Sequence, residues 1–469
     1  MTATPTRRVA LPTPSPRQRG GLVAGALAFA APLVLGVPGL APDGERMLAI
    51  FLLAIVLWVT EAIPLVATAV LVILLQVLLL SDQAIVATDE AALPAASYFA
   101  TLADPVIMLF LGGFLIAQGA AKFDLDRNLA AVLLRPFAAS ARRTVLGLMA
   151  ITALLSMFVS NTATTATMFA VVVPVLAALP PGTARTGVAL SIPVAANVGG
   201  IGTPVGSPPN AIALGALSAR GEGVSFVGWM ALAVPLLVVV LVVAWWVLTR
   251  RYVPADASLE LDLRSRFDTS PAAVVFYVIA GGTVLLWLTE PFHGIASTTV
   301  GFLPVVALLA TQVMSGDDLR SIQWPVLWLV AGGIALGVGI GSTGVDVWLL
   351  ELIAWDLLPQ LVLVGLLVLT ALAFSTVISS SAAANLLIPL SLGIAGGIAV
   401  DTTLIGVVVA IGCSLAMALP ISTPPNAIAY ATGEVPTTAL ASTGLIVGVV
   451  GAGLLVLAMP PLWSSLGLL

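Results

Sequence analysis

Charged side chains are scarce in this chain of 469 residues: Asp, Glu, Lys and Arg together make up 8%, against roughly 25% in soluble domains. A water-soluble globule is excluded. Cysteine and histidine are almost missing, with Cys413 and His293 the only examples. One thiol cannot close an internal disulfide, and one thiol with one imidazole cannot build a zinc cage. The H-E-x-x-H and G-x-S-x-G patterns of metalloproteases and serine hydrolases are also lacking, and His293 lies outside the Ser clusters. The net charge of −5 says little by itself; the placement of the basic residues says more.

What is abundant is apolar sequence, 60% of the chain, in runs of about 20 residues, the length that crosses a bilayer core. The chain reads as an all-α polytopic membrane protein. Eleven crossings are predicted, at 21–40, 47–63, 65–81, 105–121, 186–217, 227–249, 272–289, 294–312, 325–343, 403–432 and 440–463. Residues 1–20 carry Arg7, Arg8, Arg17 and Arg19 among Pro, Thr and Ser and read as a disordered cytoplasmic tail. The run that follows is too long for a signal-peptide core, so 21–44 is taken as an uncleaved first transmembrane helix.

Two further apolar stretches, 145–180 and 360–397, each carry a Ser-rich break at the centre. They are read as helical hairpins that dip into the bilayer and return, because unwound backbone at membrane depth survives only against protein or water. A single kinked helix in each place is the alternative. With the N-terminus cytoplasmic, eleven crossings and two such hairpins put fifteen of the 17 basic residues on the cytoplasmic side, leaving only Arg46 and Arg220 outside. Residues 122–143, with five basic side chains, read as a cytoplasmic interfacial helix, whereas 346–358 carries Asp346, Glu351 and Asp356 and no Lys or Arg.

The two halves share landmarks in the same order. Trp58, Thr60 and Glu61 match Trp287, Thr289 and Glu290; Pro105 and Gly112-Gly113 match Pro325 and Gly332-Gly333; Ser156 and Ser160 match Ser375 and Ser379. Pro208-Pro209-Asn210 matches Pro424-Pro425-Asn426, the offset drifting only from 229 to 216. The chain divides into repeat 1 over 45–250, a cytoplasmic linker over 251–271 and repeat 2 over 272–465. Each repeat holds an odd number of crossings, so the second runs through the bilayer in the opposite sense. Inverted-topology repeats with paired broken helices are the architecture of secondary transporters, with the site near the midplane.

The first break reads Ser160-Asn161-Thr162, and hydroxyls, a carboxamide and freed backbone groups in apolar surroundings need partners there. Neutral hard oxygens suit a sodium ion, and the N–H groups of a half-helix N-terminus suit an anion. Helix-packing Ser and Thr residues would explain one such cluster but not two in register. The consecutive prolines of both Pro-Pro-Asn segments remove helical donors and unwind the span before them, which offers the carbonyls of Gly206 and Ser422 and the hydroxyls of Ser207 and Thr423. No ionisable residue lies in the tips or the proline breaks. A proton-driven antiporter calls for a midplane carboxylate, so sodium coupling is expected. Glu61, Glu290 and His293 sit at span ends and are read as structural or interfacial.

Together the Ser160-Asn161-Thr162 tip, its counterpart at 379–381 and both Pro-Pro-Asn breaks resemble the divalent anion/sodium symporters, over about 45–465. The resemblance implies no enzyme activity but a dimeric carrier, whose scaffold domain stays fixed while a transport domain moves by an elevator-like shift. It implies a first sodium site at Ser156, Ser160, Asn161 and Gly206, and a second at Ser375, Ser379, Ser380 and Ser422. Substrate carboxylates would meet Ser160, Asn161, Thr162 and Ser207 from one half and Ser379, Ser380, Ser381 and Thr423 from the other. The departure is Ser379-Ser380-Ser381 in place of a second Ser-Asn-Thr, which costs a carboxamide at Ser380; Asn385, one turn on, is the one candidate to compensate.

The expected function is sodium-coupled symport of a small dianion, a C4-dicarboxylate such as succinate, malate or fumarate. The expected setting is a bacterial or archaeal plasma membrane, with lipid and a second subunit as partners and no nucleic acid. An exchanger or a sulfate or citrate carrier would use the same cavity; a channel or an intramembrane hydrolase is the reading from another class.

Overall fold

The computed structural model describes residues 15–88, 92–137, 140–180, 182–254, 265–352, 358–397 and 400–468. Arg7 and Arg8 of the basic tail, linker residues 255–264 with Arg264 among them, and Asp356 lie outside the described residues. Every regular element among the described residues is a helix.

Helix ends follow local chemistry. The first helix, Pro16–Leu35, begins earlier than its apolar run, because Ser15 and Gln18 cap each other's backbone and Pro16 fills the first position. Arg17 and Arg19 therefore belong to the helix rather than to the tail. It stops at Gly36, whose φ of +68° suits glycine.

Eight helices among the described residues are long and apolar enough to cross a bilayer: Pro16–Leu35, Ala95–Lys122, Ala141–Phe158, Phe226–Arg251, Pro271–Leu288, Trp324–Ser342, Gln360–Val377 and Thr437–Leu457. Six of these match expected crossings, and Ala141–Phe158 and Gln360–Val377 are the first limbs of the expected hairpins. The other expected crossings fall short for plain reasons. Pro42–Thr60 carries Asp43, Glu45 and Arg46 in its first turns, Leu65–Leu80 has 16 residues and Ser297–Ala310 has 14, and the two Pro-Pro-Asn spans are each interrupted. Val278, Leu285, Val306, Leu366 and Leu369 project outward, exposed, as on helices that meet lipid on one face.

The paired landmarks do paired jobs. Trp58 Nε1 donates to Leu65 O at 3.1 Å, and Trp287 Nε1 donates to Ser297 O at 3.0 Å, so each indole ties the end of one helix to the start of the next. Each Gly-Gly pair permits a close helix crossing between halves. A Cβ on Gly112 would lie 1.7 Å from Gly301 O, and one on Gly332 would lie 2.5 Å from the Ala69 Cβ. Glu290 is structural: its carboxylate accepts from Phe226 N at 3.0 Å and Ser297 N at 3.2 Å, holding two helix starts. His293 pins its own turn, its Nδ1 accepting from Ile295 N at 3.0 Å.

Candidate functional site

Both Ser-rich breaks are tight turns between two helices. Ala141–Phe158 and Asn161–Ala178 are joined by Val159 and Ser160 in extended conformation; Gln360–Val377 and Ser380–Gly396 are joined by Ile378 and Ser379. The unwound stretch is shorter than the polar run suggests, since Asn161 and Thr162, like Ser380 and Ser381, already form a first helical turn. The reason is capping: Ser160 Oγ accepts from Ala163 N and Ser379 Oγ accepts from Ala382 N, both at 3.2 Å. First-turn N–H groups beyond the cap remain available to a ligand, except that of Ser380, which donates to Ser422 O.

The proline-rich spans break as expected, but the prolines start the second half-helix rather than end the first. Thr183–Gly200 gives way to an irregular stretch, and Pro208 opens Pro208–Ser218; Thr402–Ser414 gives way likewise, and Pro424 opens Pro424–Ala431. Proline at the first helical positions loses no bond. The carbonyls freed in the gap are taken up by the asparagine that follows. Asn210 Nδ2 donates to Gly200 O at 2.9 Å and Thr203 O at 2.8 Å, while Asn426 Nδ2 donates to Met417 O and Leu419 O, both at 2.9 Å. Pro-Pro-Asn is thus a self-contained device for holding a helix open. The halves then interlock, with Thr183–Gly200 packed on Pro424–Ala431 and Pro208–Ser218 on Thr402–Ser414.

All four helix starts face one cavity of about 100 Å³, enough for several waters at ~10–15 Å³ each or one small organic anion. Ser160, Asn161, Thr162, Gly206, Ser207, Ser380, Ser381 and Thr423 line it, so both tips and both breaks meet. Among the described residues, none that lines it is ionisable. Ser207 Oγ lies 3.2 Å from Ser414 Oγ, and Thr423 Oγ1 is buried with no partner. Positive helix ends, hydroxyls and carboxamides without a counter-charge make a chamber whose electrostatics suit an anion.

Ser156, Ser375, Ser379 and Ser422 lie behind this lining. Around Ser156 the arrangement is distinctive. One terminal atom of the Asn161 carboxamide sits 3.0 Å from Gly206 O, 3.2 Å from Ala196 O and against Ser156 Oγ. As Nδ2 that atom donates to both carbonyls; as Oδ1 it makes four oxygens face one another, an arrangement that a cation relieves. Ser156 Oγ also donates to Ala196 O at 2.8 Å.

The second half has the same backbone and a different outcome. Ser422 O accepts from Ser380 N at 3.3 Å, Ser422 Oγ donates to Thr376 O at 2.9 Å, and fully buried Ser375 finds no nitrogen or oxygen partner for its hydroxyl. Asn385 does not replace the lost carboxamide, because its Nδ2 donates to Ser381 O at 3.0 Å and its Oδ1 packs toward Gly333.

Sequence reading missed Phe110, Phe114, Asn197, Gln323, Val326 and Ser414, which also line the cavity. Asn197 and Ser414 had a findable signal, as polar residues inside apolar half-helices at the edge of each break; Asn197 Nδ2 donates to Asn426 Oδ1 at 3.0 Å. Gln323 stands just before Trp324–Ser342 and looked like an ordinary span boundary. The carbonyl of Ala196 carries no signal in sequence.

A family model described as a citrate transporter matches residues 55–412. The sodium-dependent dicarboxylate transporter SdcS of Staphylococcus saprophyticus is 29% identical over 94% of this chain and 90% of its own length. An uncharacterized transporter of Haemophilus influenzae is 31% identical over 89% of this chain and 92% of its own. Among solved structures, the YdaH transporter of Alcanivorax borkumensis, described as having an unusual topology, gives a TM-score of 0.54 at 18% identity, covering 86% of this chain and 98% of that one. At that identity the likeness extends to the fold alone.

Proposed function

The chain belongs to the citrate transporter family and is a multi-pass membrane transporter, not an enzyme; from that premise we propose that it is a sodium-coupled symporter of a small dianion, a C4-dicarboxylate such as succinate, malate or fumarate. One observation carries the reading: four helix N-termini converge on an uncharged chamber, behind which Ser156 Oγ, Ala196 O and Gly206 O gather around one end of the Asn161 carboxamide. The chamber fits a carboxylate at each tip, and the cluster fits a monovalent cation. The SdcS relative is named for sodium and dicarboxylate, which agrees with this division of labour.

Sodium sits at Ser156, Asn161, Gly206 and the added Ala196 carbonyl, with Ser160 facing the anion above it. A second, weaker cation position uses Ser375, Ser379, Ser380 and Ser422. The anion is held by Ser160, Asn161, Thr162 and Ser207 on one side and by Ser379, Ser380, Ser381 and Thr423 on the other. The cation binds first: it draws Asn161 Oδ1 inward, and its charge offsets the desolvation of the dianion. Eleven crossings, two re-entrant hairpins and inverted repeats over 45–250 and 272–465, with 251–271 between them, account for the paired geometry. A cytoplasmic N-terminus in a bacterial or archaeal plasma membrane accounts for the basic loops. The loaded tips and broken helices travel as a transport domain against a scaffold in a homodimer, the elevator motion that the family resemblance implies.

The test is purified full-length protein in liposomes with labelled succinate, citrate and sulfate, with and without an inward sodium gradient. Sodium-driven succinate uptake is expected. Uptake that ignores sodium but requires internal dicarboxylate converts the reading to exchange, and single-channel currents convert it to a channel.

A further inference from the structure

We propose that the Gln323 carboxamide is the scaffold wall's polar contact to the transported anion and sets which anions the chamber accepts. The inference deepens the function proposed above and rests on it. Besides the tips and broken helices, the chamber has a third wall made by Phe110, Phe114 and Val326, all apolar, and by Gln323. Among the described residues, Gln323 is the only polar side chain on that wall. It stands at the start of Trp324–Ser342, so the positive end of that helix lies behind its amide.

Gln323 Nε2 donates to Ser160 Oγ at 3.3 Å. That bond is long, and the same hydroxyl oxygen already accepts from Ala163 N, so the cap on the first tip does not depend on it. A carboxylate seated on the first-turn N–H groups of Asn161 and Thr162 offers Nε2 a stronger, charge-assisted acceptor. The donor is also held in place independently of the tip. Lys122 Nζ donates to Asp318 Oδ2 at 2.7 Å and to Val313 O at 3.1 Å, Gln118 Nε2 donates to Ser321 Oγ at 2.9 Å, and Trp324 Nε1 donates to Leu319 O at 3.0 Å. The Lys122 and Gln118 bonds fasten the segment that presents Gln323 to the helix Pro105–Lys122, and the Trp324 bond braces that segment internally. A neutral donor adds affinity for a carboxylate without the grip of a Lys or Arg, as a carrier that must release its cargo requires. Replaced by an apolar residue, the whole third wall turns apolar and favours a ligand with one charged end and one apolar end.

The experiment uses the full-length protein in liposomes with a sodium gradient, comparing wild type, Gln323→Leu and Gln323→Asn. For Gln323→Leu the KM for succinate should rise about tenfold, the size of one charge-assisted hydrogen bond, with the maximal rate within about twofold. Inhibition by butyrate, which keeps the chain length and loses one carboxylate, should strengthen relative to inhibition by succinate. Gln323→Asn should recover part of the KM. Sodium-induced thermal stabilisation without substrate should be unchanged in both variants, which also reports that they fold. An unchanged KM and butyrate ratio in Gln323→Leu overturns the proposal. So does a loss of sodium stabilisation in step with KM, which would mean that Gln323 acts through the cation cluster. A wild type without sodium-driven uptake overturns the parent reading as well, whereas an active wild type with an indifferent Gln323→Leu overturns this one alone.

Discussion

The two tips of this molecule share a backbone and differ in chemistry. Each is a two-residue turn capped by a serine, Ser160 or Ser379, and each faces a helix held open by an asparagine three residues past its serine or threonine. At the first tip the carboxamide of Asn161 reaches the carbonyls of Ala196 and Gly206. At the second, Ser380 has no side chain long enough, and its backbone N–H takes Ser422 O instead. A repeated scaffold can therefore keep the same helix ends in both copies while placing a carboxamide among buried oxygens in only one. The helix ends belong to the backbone and survive substitution; the carboxamide belongs to a side chain and does not.

The widest gap between the tips should appear in transport. Asn161→Ala is expected to cut sodium-driven succinate uptake about 100-fold, because it removes a proposed cation ligand and its contacts to buried carbonyls, whereas Ser380→Ala should cost about threefold or less. Labelled uptake into liposomes measures both, and equal losses would erase the distinction. Next in size are the asparagines of the broken helices. Asn426→Ala should lose about 2–4 kcal/mol of stability and Asn210→Ala somewhat less, since only Asn426 also accepts from Asn197; thermal unfolding in detergent reads the difference. Restoring what the second tip lacks gives a finer test. Ser380→Asn should steepen the dependence of uptake on sodium concentration, and an unchanged slope would mean that Ser422 O stays closed to a cation even with a carboxamide beside it. The smallest effect is expected outside the chamber. Burial pushes the Asp318 carboxyl up, but Lys122 and Ser315 outweigh burial and hold it below the usual carboxylate range. Its contribution is thus present at neutral pH and fades on acidification through that lowered value. Asp318→Asn should raise the succinate KM about twofold or less, as for a solvent-screened pair, with no change in sodium slope at either tip.

How much of this was legible in the sequence follows from where each signal resides. Ser160-Asn161-Thr162, Pro208-Pro209-Asn210 and their counterparts break helices, and a helix break in an apolar run is visible locally. Their meeting in one chamber was legible only because they are duplicated. The work of Asn210 and Asn426 was not read at all: the prolines were seen to free carbonyls, and the asparagines take up those of Gly200, Thr203, Met417 and Leu419. Phe110, Phe114 and Gln323 stayed hidden because each sits in sequence that any membrane helix could carry, and only packing brings them to the site. The carbonyl of Ala196 could not be read at all, since backbone oxygen is common to every residue. Helix boundaries failed where capping overrode hydropathy, as at Ser15.

The close crossings at Gly112 and Gly332 reach further than packing. Pro105–Lys122, from the first half, lies in the groove of Ser297–Ala310 from the second, while Trp324–Ser342 from the second lies against Leu65–Leu80 from the first. Each half thus lends the other a strut. Severing the polypeptide between 254 and 265 would yield two fragments, each with an open glycine seam and nothing to close it; made alone they would be waste for proteases, and made together they would clasp.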